Sequence, residues 1–264
     1  MTPGARPSTR RHLMIDQPFR GRTALVTGAA TGLGWEVSRQ LLEAGASVGM
    51  SYRPDGHSDG IAQLVDKFGN RAHGYACDLA DVASTERLFQ DAAYDMGGID
   101  HLVNNAGTWL SGQFEDIPVN DWDLTFAINV RAPFILCQKM VSQEPANITR
   151  KIVNVTSQAA FQGSTTGHAH YAASKAAIVT MTMSLAREVA QRGINANCIA
   201  LGMMESNMVR DSITARPDYY RNRIPIGRIA QPNDIAPVIL FLLSPESDYI
   251  TGATVNATGG MLMR

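Results

Sequence analysis

The sequence predicts an α/β fold: a single-domain, doubly wound parallel sheet of about seven strands with helices on both faces. Three observations carry this. Short β-type runs alternate with longer helix-type segments almost to the end of the 264 residues, the signature of strand–helix–strand units. An apolar run at 23–26 leads into Thr27-Gly28-Ala29-Ala30-Thr31-Gly32-Leu33-Gly34 and then into a helical pattern at 35–44. Glycine and proline clusters fall at element ends, and no shift of composition marks a linker.

The elements follow in order. Residues 46–51 read as the second strand and 61–68 as a helix, then 72–77 as the third strand and 82–96 as a helix with apolar residues at helical spacing. A short strand at 100–103 precedes a long helix at 121–141, and a fifth strand at 151–155 precedes another long helix at 171–191. Residues 194–200 give a sixth strand, 235–243 a helix and 253–255 a last strand. Residues 1–20 carry three prolines and four arginines and read as a disordered arm before a domain at 21–264.

Composition narrows the function. Hydrophobic residues make up 45% and charged residues 18%, with a net charge of −1, so nothing argues for a nucleic-acid or membrane partner. No apolar run approaches the ~18 residues of a membrane-spanning helix. Cys77, Cys137 and Cys198 are odd in number and far apart. They suit buried thiols in a reducing compartment and have no metal-ligand spacing; the expected location is cytoplasmic. Ser8-Thr9-Arg10-Arg11 resembles the start of a twin-arginine signal, but no apolar segment follows it.

The glycine loop is where a chemical reading begins. A strand, a tight turn and a helix N-terminus direct backbone N–H groups and the positive end of a helix dipole at one point, which suits a pyrophosphate. The spacing G-x-x-x-G-x-G departs from the commoner G-x-G-x-x-G. In a doubly wound sheet the ligand lies beyond the carboxyl ends of the strands. Those ends carry Gly28 to Gly34, Tyr52-Arg53, Asp78-Leu79, Asn104-Asn105-Ala106-Gly107, Ser157 and Leu201-Gly202. An acid at the end of the second strand would bind a ribose 2′-hydroxyl and repel a 2′-phosphate. Here Arg53 offers a guanidinium fork and no acid occurs until Asp55, which favours NADP(H) over NAD(H).

Tyr171 and Lys175 lie four residues apart on one helix face, and no other of the seven tyrosines has a lysine at that spacing. A nearby cation would bring the phenol towards neutral pH and fit it for general acid/base work. Ser157, at a strand's carboxyl end, can hydrogen-bond a substrate oxygen. Asn129 is polar in an apolar helix, and an unpaired amide there would be costly, so a water or backbone group should meet it.

These motifs, in this order, resemble the short-chain dehydrogenase/reductase family, and the likeness runs from Gly21 to the C-terminus. The resemblance implies a Rossmann-like fold and hydride transfer between a nicotinamide cofactor and a carbonyl or secondary alcohol. By the same resemblance Tyr171 is the acid/base, Ser157 polarises the substrate oxygen, and Lys175 lowers the tyrosine pKa and binds the nicotinamide ribose. Asn129 positions a water, Asn105 to Gly107 stand beside the cofactor, and Asp78 and Leu79 flank the adenine. Pro225-Ile226-Gly227-Arg228, Tyr249-Ile250-Thr251-Gly252 and Gly259-Gly260-Met261 are similar to 3-oxoacyl-carrier-protein reductases and related NADPH-dependent ketoreductases. The substrate implied is a ketone or 3-oxoacyl group, with a carrier-bound acyl chain included.

The chain departs from the family pattern at three places. Leu201 stands for a usual proline, Thr258 for a usual aspartate or asparagine, and Ser206 for a usual threonine on the carboxamide. Thr31 occupies a loop position that is basic in many NADPH-dependent relatives. Met203 and Met204 could line an adaptable substrate pocket or simply pack a helix pair. Trp109 could wall that pocket or fill core, and His168 and His170 suit a rim or loop better than a metal site. Family members commonly pair the two long helices across two-fold axes, so a homotetramer is expected, with a dimer as the fallback. The competing function is a catalytically silent NADP(H)-binding regulator or scaffold.

Overall fold

The computed structural model describes residues 17–56, 58–164, 167–206, 214 and 217–264. Seven parallel strands form one sheet in the order β3-β2-β1-β4-β5-β6-β7. They are β1 (Thr23–Val26), β2 (Ser47–Tyr52), β3 (Ala72–Ala76), β4 (His101–Asn104), β5 (Arg150–Ser157), β6 (Ile194–Leu201) and β7 (Thr254–Ala257). Strand order reverses between β1 and β4, so their carboxyl ends diverge and open the crevice in which such sheets bind ligands.

Alternation along each strand sends side chains into two cores. Ala24 and Val26 of β1, Val103 of β4 and Val153 of β5 pack with α1 (Gly32–Glu43), α2 (Asp59–Phe68) and α9 (Pro232–Leu243). Leu25, Leu102 and Ile152, the intervening residues, pack with α3 (Val82–Met96), α5 (Ala132–Val141) and α7 (Ala169–Val189). Covering both faces explains why the strands are almost continuously apolar. Between the cores and the site, Asn104 Nδ2 donates to Asn154 Oδ1 (2.7 Å), and Asn154 Nδ2 donates to Thr182 Oγ1 (2.8 Å). These bonds tie β4, β5 and α7 together at the sheet centre. Among the described residues the remaining helices are α4 (Val119–Phe126), α6 (Ala159–Gln162) and α8 (Pro217–Arg221).

Three elements differ from the sequence reading. Helix α1 starts at Gly32 rather than residue 35, because Thr31 is extended at φ −150° and the glycine loop is already the first helical turn. The long helix at 121–141 is interrupted by a π-helical segment, Ala127–Arg131, with Asn129 in its middle; such widened turns often mark functional positions. The arm placed at 1–20 ends earlier. Most of it lies outside the described residues, but Phe19 is 3% exposed in the core and its ring meets His101 edge-on at 5.7 Å. The Phe19 N–H donates to the Ala44 carbonyl (3.0 Å). A proline- and arginine-rich composition hid one buried aromatic.

Among the described residues no helix is long and apolar enough to cross a membrane.

Phe19→Ala should therefore lower unfolding free energy by ~3–5 kcal/mol, the usual cost of truncating a buried phenylalanine, in urea denaturation. A loss below ~1 kcal/mol would place Phe19 in a loose arm.

Candidate active site

A cleft of about 760 Å³ lies beyond the carboxyl ends of the strands and is lined by the loops after β1 to β6. Its first wall is the glycine loop. Gly28 (φ +63°) and Gly32 (φ +59°) have left-handed backbones, where a Cβ is strained. At Gly32 no atom lies within 4 Å of where a Cβ would stand. The room above this helix N-terminus belongs to the cleft and lets a ligand approach the backbone. Thr31 and Leu33 line the same wall. Gly34 does not: a Cβ there would lie 2.3 Å from the Gly28 carbonyl oxygen. Its absent side chain lets the loop close on itself.

The loop is held from the neighbouring strand. Thr27 Oγ1 accepts from the N–H groups of Asn105 and Ala106, both at 3.0 Å. Asn105 Nδ2 in turn donates to the carbonyls of Thr27 (2.9 Å) and Gly28 (3.1 Å). Asn105, Ala106 and Gly107 thus line the cleft and brace its glycine-loop end.

At the far end Tyr52, Arg53, Asp78 and Leu79 line the cleft as expected. Arg53 is paired: its Nε and Nη2 donate to the two carboxylate oxygens of Asp55 at 3.0 and 2.6 Å. Asp78 Oδ1 accepts from the Ala80 N–H (2.9 Å), fixing its own turn.

At the other end Ser157, Tyr171 and Lys175 come together. Ser157 closes β5, and its Oγ accepts from the Ala159 N–H (3.2 Å). Tyr171 keeps part of its surface open to the cleft. Burial pushes its phenol above the ordinary value, while a hydrogen bond with Ser157 pulls the other way. The net direction is upward, contrary to the expected lowering by Lys175. The reason is geometric: Lys175 Nζ stands 5.7 Å from the centroid of the Tyr171 ring and donates to the Val155 carbonyl at 3.0 Å. Lys175 is only 5% exposed, and burial pulls its ammonium down to about 8.

Asn129 does not line the cleft; it meets a backbone, one of the two partners expected. Its Oδ1 accepts from the Thr108 N–H (2.8 Å) and its Nδ2 donates to the Thr108 carbonyl (3.0 Å) and Ser174 Oγ (3.0 Å). The Ser174 hydroxyl donates to the Tyr171 carbonyl (2.7 Å). Asn129 therefore fastens the strand leaving β4 to the helix that carries Tyr171. A Cβ at Gly107 would stand 3.2 Å from Asn129 Oδ1 and 3.4 Å from Lys175 Nζ, so a side chain here would press on both.

After β6, Gly202, Met203, Met204 and Ser206 line the cleft. Arg210 and much of the loop around it lie outside the described residues. Trp109 is not part of the lining: it stacks on His168 with centroids 4.1 Å apart, and His168 Nδ1 bonds the Leu110 carbonyl (2.8 Å). The histidines flank this loop crossing, and among the described residues no cluster could hold a metal. Sequence reasoning missed Leu110, Leu124 and Ile128, which give the cleft an apolar side. The spacing of Leu124 and Ile128 on one helix face was legible, but it reads equally well as sheet packing. Thr258 is accounted for locally: its Oγ1 accepts from the Leu262 N–H (3.1 Å). A Cβ at Gly202 would lie 2.9 Å from the Thr258 carbonyl oxygen.

Comparison with known proteins agrees with this geometry. The family model described as enoyl-(acyl carrier protein) reductase matches residues 28–262. The chain belongs to that family, a branch of the short-chain dehydrogenases/reductases. It is 36% identical over 251 residues to the 3-oxoacyl-[acyl-carrier-protein] reductase of Rickettsia bellii, covering 95% of this chain and 100% of the relative. A blue fluorescent protein from a metagenomic library, solved in complex with NADPH, superposes with a TM-score of 0.88 at 32% identity, covering 94% of this chain and 100% of the other. A 3-ketoacyl-(acyl-carrier-protein) reductase from Brucella melitensis, complexed with NADH, superposes with a TM-score of 0.84 at 27% identity, over 93% and 100% of the two chains.

A buried ammonium lowers stability as long as it is charged. Unfolded Lys175 keeps its proton up to pH ~10.4, whereas the folded group loses it near 8. The penalty is therefore complete below pH 8 and fades as pH rises towards the unfolded value. Lys175→Met should exceed wild type in unfolding free energy by ~2–4 kcal/mol at pH 7, with the two converging by pH ~10.5. Parallel pH profiles in chemical denaturation would contradict this.

Proposed function

We propose that the chain is an NADP(H)-dependent ketoreductase that interconverts a small carbonyl compound and its secondary alcohol. The observation that carries this reading is the convergence of Ser157, Tyr171 and Lys175 at one end of a cleft whose other end is a glycine-loop helix N-terminus with Arg53 beyond it. The relatives complexed with NADPH and NADH and the oxoacyl reductase from Rickettsia support the cofactor class and the reaction.

The residues present suit such a cofactor. The open ground above Gly32 admits a pyrophosphate to backbone N–H groups, Arg53 offers donors to a 2′-phosphate, and Asp78 and Leu79 border the adenine. Lys175 and Tyr171 would hold the nicotinamide ribose, and Ser206 would offer a hydroxyl to the carboxamide. When bound, the reduced nicotinamide supplies the hydride. The protein's part is the proton: Ser157 donates a hydrogen bond to the substrate oxygen, and Tyr171 delivers its phenolic proton to that oxygen as negative charge develops on it. The high phenol pKa keeps the proton in place until then. The charged Lys175 stabilises the phenolate left behind. Leu110, Leu124, Ile128, Met203 and Met204 exclude water from the reacting carbon and suit an apolar acyl or alkyl ketone, a carrier-bound chain included.

Tyr171→Phe removes the proton and keeps the ring. Turnover of NADPH with a ketone panel should fall by ~10²–10⁴, the usual worth of a positioned acid, while NADPH binding by fluorescence persists. Ser157→Ala should likewise spare cofactor binding. Near wild-type turnover in Tyr171→Phe would remove the basis of the reading.

The assembly we propose is a homotetramer acting in the cytoplasm. Trp122 of α4, Phe134 of α5 and Met183 of α7 remain 40%, 49% and 42% exposed, apolar surface on the helices that would pair. Light scattering should give about four times the 28.5 kDa chain mass; a monomer at micromolar concentration would refute it.

A further inference from the structure

Among the described residues that line the cleft, the charged ones fall into two groups. Lys175 is buried at the catalytic end, while Arg53, Asp55 and Asp78 stand at the outer end. Arg53 is the cation available there to a 2′-phosphate, and its fork is already engaged. The guanidinium edge formed by Nε and Nη2 meets both oxygens of Asp55 at 3.0 and 2.6 Å. That edge is one of the two on a guanidinium that can grip a phosphate with two parallel bonds. The pair is 79% and 68% exposed, so a ligand can reach either side chain.

The contact is built into a tight turn. Arg53 and Asp55 are two residues apart, and the Gly56 N–H donates to the Arg53 carbonyl at 2.9 Å. A Cβ at Gly56 would stand only 3.2 Å from that carbonyl oxygen, so the turn holds the carboxylate within reach of the guanidinium. Asp55 is thus an intramolecular ligand at high effective concentration, and it sits on the wall that a phosphate must approach. It is also charged at any working pH, because the Arg53 guanidinium holds its carboxyl below the usual range.

We propose that Asp55 is a specificity-determining residue: it competes with the cofactor's 2′-phosphate for Arg53 and repels that phosphate, so that the cleft discriminates only modestly between NADPH and NADH. The inference rests on the nicotinamide-cofactor reading above and goes beyond it in assigning the degree of selectivity to one carboxylate. NADPH must displace Asp55 to gain the bonds of the Nε–Nη2 edge, or bind the Nη1 side with the carboxylate still beside its phosphate. NADH has no 2′-phosphate and leaves the pair as it is, with Asp55 free to accept a bond from the ribose hydroxyl.

The test measures dissociation constants for NADPH and NADH by fluorescence for wild type, Asp55→Asn, Asp55→Glu and Asp59→Asn. Asp59 opens α2 outside the cleft lining and controls for loss of one negative charge. Removing a unit charge beside a dianion at an exposed, salt-screened site should tighten NADPH binding by ~3–10-fold. The NADH constant should shift by less than ~2-fold or weaken, Asp55→Glu should behave as wild type, and Asp59→Asn should leave the ratio unchanged. A ratio of the two constants that stays the same or moves towards NADH in Asp55→Asn would overturn the proposal, the second result meaning that Asp55 holds Arg53 ready for the phosphate. An equal gain in Asp59→Asn would also overturn it, by reducing the effect to net charge. A wild-type preference for NADH would sink the cofactor preference alone, since the change on Asp55→Asn is read independently. Failure to bind either dinucleotide would overturn both.

Discussion

The clasp between Thr27 and Asn105 is the contact on which the site depends. β1 and β4 are neighbours in the sheet, yet the chain leaves them towards opposite faces, so their carboxyl ends would otherwise splay. Thr27 Oγ1 receives two backbone N–H groups from the β4 side, and Asn105 Nδ2 returns two bonds to the β1 side. The two backbone N–H groups and the two carbonyls that meet here are thereby paired without water, and buried groups of this kind are costly when left unpaired. The clasp also sets the glycine loop against Ala106, whose Cα would lie only 3.0 Å from a Cβ on Gly28. Phosphate end and catalytic end are consequently positioned by one structure: the segment that braces the loop continues through Gly107 and Thr108 to Asn129 and so to α7.

That continuity explains why Asn129 sits in a π-helical segment. A regular helix through 127–131 would place every side chain on the 3.6-residue pattern that packs the sheet. The widened turn gives Asn129 a direction off that pattern, with its amide matched to both backbone groups of Thr108 and to Ser174. The irregularity is local and fully hydrogen-bonded at this residue, and Tyr171 inherits its position from it through the Ser174 hydroxyl.

Most of the architecture was legible because it rests on short-range pattern. Strand–helix alternation implies the parallel sheet, and the carboxyl-end rule gathers Gly28, Arg53, Asn105, Ser157 and Gly202 onto one edge. What escaped was contact that no periodicity encodes. Gly34 and Gly32 look alike in sequence, but one faces a carbonyl 2.3 Å from its missing Cβ and the other faces open cleft. Phe19 hides in a segment of disordered composition, and Trp109 follows a cofactor-lining run yet turns to His168. The sign of the Tyr171 shift was missed for a related reason: i, i+4 spacing brings Lys175 near the ring, but only the fold reveals that burial outweighs it and that the ammonium bonds a carbonyl instead.

The two ends of the cleft obey different physical rules. At the catalytic end a lysine is kept nearly dry beside a tyrosine, at an expense in stability that only the chemistry accounts for. Electrostatic interactions there are strong because water is scarce, so one charge or hydroxyl changes both rate and stability. At the adenosine end Arg53 and Asp55 lie in solvent, where pairing contributes little to folding and ions screen what remains. Residues there can change identity without endangering the fold. A single scaffold can therefore hold its proton chemistry fixed while its choice of dinucleotide is adjusted at the rim, one exposed charge at a time.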